Sequence, residues 1–179
     1  MYLVVSASLS PASRSRELAA ACARRLEALG ERAEVLDLRE TPLPVCDGAG
    51  AYGHPNVVRA AELGAEATAV LLAAPVYNFD VNAAAKNLVE LAGRSWEGKT
   101  IGLLMSAGGQ GSYMSGMGLA NSLMLDFRCH IVPRFVYATG DAFSPISEEE
   151  WQITDEEVRR RVEELVDETV RVSRALQVE

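Results

Sequence analysis

Two apolar runs constrain this chain most: Thr68-Ala69-Val70-Leu71-Leu72-Ala73-Ala74, and residues 100–105 with Ile101, Leu103, Leu104 and Met105. A strand with one wet face alternates apolar and polar residues. A run without alternation needs apolar cover on both faces, as in the middle of a parallel sheet sandwiched by helices.

The rest of the chain fits that frame. Three further strand-like runs cover residues 2–6, 33–38 and 130–137, and helical patterns lie between the runs. The first helix, residues 16–29, carries Leu18, Cys22, Leu26 and Leu29 on one stripe and stops at Gly30. Others are expected at 56–66, 83–92 and 113–127, and from Thr154 onward, where Thr154-Asp155-Glu156-Glu157 forms a capping segment. Residues 39–55 are polar and broken by Pro42, Pro44, Gly48, Gly50 and Gly53, a connection long enough to fold over a site. Five strand–helix alternations predict one doubly wound α/β domain over residues 1–179, a flavodoxin-like three-layer sandwich. The expected sheet is parallel and five-stranded, in the order 2-1-3-4-5. Pro133 cannot donate to a ladder, which suits an edge place or a bulge for the fifth strand.

Composition narrows the partners. The formal net charge is −8, which argues against nucleic acid or an anionic membrane surface. It leaves room for a phosphate held by local donors. Cys22, Cys46 and Cys129 are far apart and form no CxxC, so neither a disulfide framework nor a zinc site is expected. No apolar stretch is long enough to span a bilayer, and the chain reads as a cytoplasmic protein.

In the expected strand order, the turns after the first, third and fourth strands meet at one rim. The first is Ser6-Ala7-Ser8-Leu9-Ser10-Pro11-Ala12-Ser13-Arg14-Ser15, a hydroxyl-rich turn leading into a helix. Unpaired amides and the helix dipole favour an anion there. Ser8, Ser10, Ser13 and Ser15 add hydroxyls and Arg14 a charge; Ser13 or Ser15 equally fits an ordinary N-cap. The second turn runs from Pro75 to Asn82 and brings Val76, Tyr77 and Asn78, an aromatic face and an amide. The third, Ser106 to Gly111, contains Gly108, Gly109 and Gln110, and its glycines let the backbone approach a flat ligand. A phosphate anchor beside such a platform describes a planar ring with a phosphorylated tail, of which FMN is the simplest. Neither GxxxxGK[ST] nor a first-turn GxGxxG is present.

Three pieces carry a resemblance: residues 8–15, the block Ala74-Pro75-Val76-Tyr77-Asn78 continuing to Ala85-Lys86-Asn87-Leu88, and Ser106-Ala107-Gly108-Gly109. Over about residues 1–137 the chain resembles the NAD(P)H-dependent FMN reductases of flavodoxin-like fold, including those of alkanesulfonate systems. The resemblance implies FMN as cofactor and NAD(P)H as co-substrate. It implies that Ser8, Ser13, Arg14 and Ser15 contact the phosphate. Pro75, Val76, Tyr77 and Asn78, with Gly108, Gly109 and Gln110, would line the ring. A small-molecule electron acceptor and a homodimer or homotetramer follow, with the helices after Asn82 and Tyr113 near the interface. Two departures stand out. Leu9 and Ser10 occupy positions where many relatives have a basic residue, and Asp80-Val81-Asn82-Ala83-Ala84 replaces a Ser-x-Pro-Gly segment.

Other notable residues have plainer readings. Lys86 suits a solvated helix face, Trp96 and Trp151 suit packing, and the cysteines suit small core positions. Tyr113 and Met114 fit either the ring or a neighbouring subunit. His54 and His130 are isolated and form no triad or metal spacing.

Overall fold

The computed structural model describes residues 1–177. Five strands build its central layer: β1 (Tyr2–Ser6), β2 (Ala33–Asp37), β3 (Ala69–Tyr77), β5 (Thr100–Ala107) and an interrupted fifth made of β6 (His130–Ile131) and β7 (Val136–Thr139). All pair in parallel, in the spatial order β2-β1-β3-β5 followed by β6 and β7. This is the expected 2-1-3-4-5 order. The expected count of five is corrected to seven segments in this sheet. One extra segment comes from the break in the fifth strand. The other is β4 (Asp80–Val81), a short antiparallel return onto β3.

The break falls at Pro133 and at Arg134, whose φ is 64°. Proline has no N–H for the ladder, and a left-handed residue turns the chain out of it. Arg161 compensates by donating to the carbonyls of Arg134 at 3.1 Å and Phe135 at 2.9 Å.

The two central strands are covered as their composition requires: every residue of β5 is buried, as are the first seven of β3. Alternate side chains feed opposite faces. Leu3, Val5, Val70, Leu72, Ile101 and Leu103 pack toward α2 (Pro55–Glu66), α3 (Ala83–Ala92) and α4 (Met117–Phe127). Tyr2, Val4, Leu71 and Leu104 pack toward α1 (Arg14–Ala28) and α5 (Glu156–Leu176). Each fully buried leucine contributes roughly 2 kcal/mol or more in apolar area removed from water. At Gly102 a Cβ would stand 2.6 Å from Leu71 Cδ2 and 2.9 Å from Thr169 Oγ1, so β5 has space there for backbone alone.

α1 has a complete set of boundary signals. Ser13 accepts from the Arg16 amide at 3.1 Å as N-cap. At the other end Gly30, with φ of 75°, closes a Schellman turn in which Glu31 N–H reaches Leu26 O and Gly30 N–H reaches Glu27 O, both at 2.9 Å. Arg25 grips Asp167 with two bonds of 2.8 and 2.7 Å and ties α1 to α5. Beyond β7, where only a loop is expected, β8 (Phe143–Pro145) and β9 (Trp151–Ile153) form a small antiparallel hairpin.

Candidate active site at the carboxyl rim

β1, β3, β5 and β7 end at the same edge of the sheet. Ser6 pairs with Ala73, Pro75 with Ser106, and Ala107 with Thr139, so the turns that leave these strands are neighbours. Side chains then join turn to turn. Asn82, 5% exposed, donates its amide to the Ala7 carbonyl at 2.7 Å and so links the serine turn to the segment after β3. Tyr137 donates its hydroxyl to the Gly109 carbonyl and meets the Ser112 hydroxyl at 2.8 Å. Gln110 reaches Thr139 Oγ1 at 3.4 Å. These contacts tie the glycine loop down to β7.

Within the serine turn, Ser8 is buried and accepts from the Ser10 amide at 3.2 Å, while Ser10 donates to Ala12 O at 3.3 Å. Ser13 acts as the N-cap and also shares a 3.0 Å bond with buried Ser15. These hydroxyls therefore shape the turn. The first-turn amides of Arg14 and Ser15 have no intrahelical acceptor and supply donors for an anion. Arg14 adds its guanidinium, lying 4.2 Å from the centre of the Trp151 ring.

The second turn differs from its expected form. Pro75 and Val76 are not in a loop; they extend β3 through Tyr77. Pro75 is tolerated because β1 stops pairing at Ala73, so no β1 bond is lost there, and its carbonyl still accepts from the Asn82 N–H at 3.0 Å. The reversal falls on Asn78 and Phe79, with φ of 52° and 64°, in a two-residue hairpin closed by the Tyr77–Asp80 pair. Two positive φ values are the signature of a type I′ turn, the hairpin that matches strand twist. Asn adopts this readily, but Phe79 stores strain there. The hairpin presents Tyr77 and Phe79 to solvent, 54% and 74% exposed. The Asp80 carboxylate stands near Gly118 in the first turn of α4, where the helix dipole favours it.

In the third turn, Ser106 is the buried next-to-last residue of β5. A Cβ added to Gly108 or Gly109 would meet nothing within 4 Å, so the loop has an open front. α4 begins at Met117, four residues later than expected. Residues 110–112 instead form a short 3-10 turn, and Tyr113 packs edge-to-face on Tyr137 at 5.7 Å.

Asn82 closes the second rim turn as expected, but its bond to the first turn has no sequence signal. Tyr137 and Thr139 read from sequence only as the end of a strand, and Trp151 as a packing residue. Conversely, Lys86 pairs with Glu90 at 3.3 Å on the outer face of α3, matching its plain reading. The 39–55 connection lies against α3, where Asn87 holds the Cys46 amide at 2.8 Å and the Pro44 carbonyl at 2.9 Å. His54 caps α2 through Nδ1 at 3.2 Å, and His130 is an exposed strand-end residue. Cys22 and Cys129 are core residues, whereas Cys46 is half-buried and donates to the Tyr52 hydroxyl at 3.6 Å. Among the described residues no cluster of His, Cys, Asp and Glu could hold a metal ion, and no helix is long and apolar enough to cross a membrane.

Among solved structures, the chain is similar to FerB from Paracoccus denitrificans, a flavoenzyme NAD(P)H:(acceptor) oxidoreductase. The identity is 23%, 97% of each chain is covered and the TM-score is 0.76. It is also similar to an oxidoreductase from Corynebacterium diphtheriae, with 19% identity, 97% and 96% coverage, and a TM-score of 0.74. For the NADH:FMN oxidoreductase EMOB the identity is 14%, the coverage 99% and 90%, and the TM-score 0.75. These likenesses show a shared flavodoxin-like fold. No curated protein matches the chain in sequence. The family model described as NADPH-dependent FMN reductase matches residues 2–144, most of the chain and all three rim turns. The chain therefore belongs to the NADPH-dependent FMN reductase family, whose members are FMN-binding oxidoreductases that take electrons from NAD(P)H.

Proposed function

We propose that FMN lies along this rim and that the enzyme delivers electrons from NAD(P)H to a small-molecule acceptor, free FMN before others. The observation that carries the reading is the bond from Asn82 to Ala7 O at 2.7 Å, which holds the serine turn against the hairpin segment beside the glycine loop.

The residues present suit the cofactor. A phosphate needs donors, and the serine turn together with the first turn of α1 offers the amides of Arg14 and Ser15, hydroxyls from Ser8, Ser10, Ser13 and Ser15, and the Arg14 guanidinium. The Arg14 Nε is buried without a hydrogen-bond partner among the described residues. A flat ring needs open backbone and an apolar face. Gly108 and Gly109 supply the first, Tyr77 the second, and Pro75, Val76, Asn78, Ser106 and Gln110 complete the walls. Bound FMN supplies the hydride and electron chemistry. The chain binds and orients, and proximity in the assembled site accounts for most of its rate effect.

The same reading extends to the setting. It takes the chain as one domain working in the cytoplasm as a homodimer or homotetramer. Tyr113, Met114, Met117, Met124 and Leu125, all exposed near α4, favour a partner subunit there.

The test is a visible spectrum of the protein with FMN, followed by NADH or NADPH without oxygen, then by free FMN, a quinone, an azo dye or a metal oxyanion in turn. Bleaching of the flavin band and fastest turnover with free FMN are expected. No flavin binding at high FMN would overturn the site, and faster turnover with another acceptor would overturn that assignment alone.

A further inference from the structure

Trp151 lies outside the family match, on the β8–β9 hairpin. Its ring carries the Arg14 guanidinium at 4.2 Å. On another side of the guanidinium is Gly140, where an added Cβ would stand 3.5 Å from Arg14 Cζ and Nη1. The hairpin is fixed in place: Pro145 pairs with Trp151, Phe143 with Ile153, and Thr154 N–H reaches Ala142 O at 2.9 Å.

An arginine on a helix surface ordinarily samples many rotamers or finds a carboxylate. Arg14 is held by an aromatic face instead, and it forms no ion pair among the described residues. The nearby Asp141 carboxylate accepts the Thr139 hydroxyl, a bond that lowers its pKa. Three nitrogen donors at this start of α1 are buried with no partner among the described residues: Arg14 Nε, Arg16 Nη2 and Trp151 Nε1. Arg16 pairs with Asp37 at 2.8 Å, whereas the Arg14 guanidinium is stacked on the Trp151 ring and has no ion pair among the described residues.

We propose that Trp151 is a positioning residue, holding the Arg14 guanidinium at the phosphate end of the site so that the enzyme selects phosphorylated flavin over riboflavin. This rests on the reading above that the FMN phosphate sits at the serine turn. The aromatic face lowers the entropy lost when the guanidinium binds an anion, and the second strand of the hairpin, beyond the residues the family model matches, becomes part of the cofactor anchor.

The experiment measures dissociation constants for FMN and for riboflavin in the wild type, Trp151→Leu, Trp151→Phe, Arg14→Ala and the Trp151→Leu/Arg14→Ala pair. Trp151→Leu should weaken FMN by roughly fivefold and leave riboflavin unchanged, since only the phosphate arm is loosened. Trp151→Phe keeps an aromatic face and should restore most of the preference. In the Arg14→Ala background, Trp151→Leu should add nothing. Equal loss for both flavins, an unchanged FMN/riboflavin ratio in Trp151→Leu, or a full tryptophan effect without Arg14 would overturn the positioning role while leaving flavin binding intact. A wild type that bound neither flavin would overturn the underlying site as well.

Discussion

Asn82→Ala tests whether the rim is held together by the bond that joins its first two turns. Asn82 sits at the N-cap of α3, yet its side chain does not cap that helix; it donates to Ala7 O at 2.7 Å in a buried setting. Truncation leaves the carbonyl of a fully buried residue without this donor, which costs about 1 to 3 kcal/mol. Part of this is offset, because Asn82 Oδ1 is itself buried without a partner and leaves with the side chain. A net loss of about 1 to 2 kcal/mol follows, or a fall in Tm of roughly 3 to 6 °C for a domain of this size. FMN affinity should fall with it, as the serine turn loses its tether.

Asn82→Asp sharpens the test, because it keeps the shape but removes the donor and points a carboxylate at a carbonyl oxygen. Above neutral pH it should be more damaging than Ala. Burial and the facing carbonyl both favour the protonated acid, so the folded pKa of this aspartate is raised above its unfolded value. Its stability is therefore greatest at low pH, where the O–H can donate to Ala7 O, and is lost as pH rises through the folded pKa. Thermal unfolding of both variants across pH, with FMN titrations alongside, checks this. If Asn82→Ala melts within about 1 °C of the wild type and binds FMN equally well, the tether carries no weight.

Three other outcomes follow from the same structure. Ser13→Asp keeps a good N-cap for the Arg16 amide, so melting should change little, while like-charge repulsion should weaken FMN about tenfold and spare riboflavin. Burial pushes the Cys22 thiol from an ordinary value near 9 up to about 12, and that of Cys129 up to about 11. Cys46 alone should then react quickly with a thiol reagent in the native protein, and all three after unfolding. For Cys22, stability is full below the unfolded pKa and lost as pH rises toward the folded one. Between about pH 8 and pH 10 the wild type should lose about 1 kcal/mol more than Cys22→Ala in urea melts.

The sequence made the layer order legible because two of its strands could exist only inside a sandwich. Runs as apolar as Thr68–Ala74 and the stretch beginning at Thr100 exclude an edge, while Pro133 excludes a centre, and together they nearly determine the arrangement. Turn chemistry was less legible. The hairpin at Asn78-Phe79 lacks the glycine that ordinarily announces a type I′ turn, so Pro75 looked like the start of the reversal instead of an interior strand residue. The β8–β9 hairpin was hidden for a related reason: three-residue strands are too short for a period to show.

The rim residues that join one turn to another differ in kind from those proposed to face the ligand. Serines, glycines and a surface tyrosine announce themselves by composition, because ligand-facing turns need donors and open backbone. Asn82, Tyr137 and Thr139 touch other turns, and contacts between residues far apart in sequence leave no local pattern. Yet these contacts set the distances among the groups proposed to face the ligand. A site assembled from four strand ends binds a rigid cofactor well only if the ends are fixed before it arrives, since ordering them on binding would be subtracted from the affinity. Substitutions at the tethers should therefore weaken FMN and riboflavin alike, whereas those at Arg14 and Trp151 should separate the two.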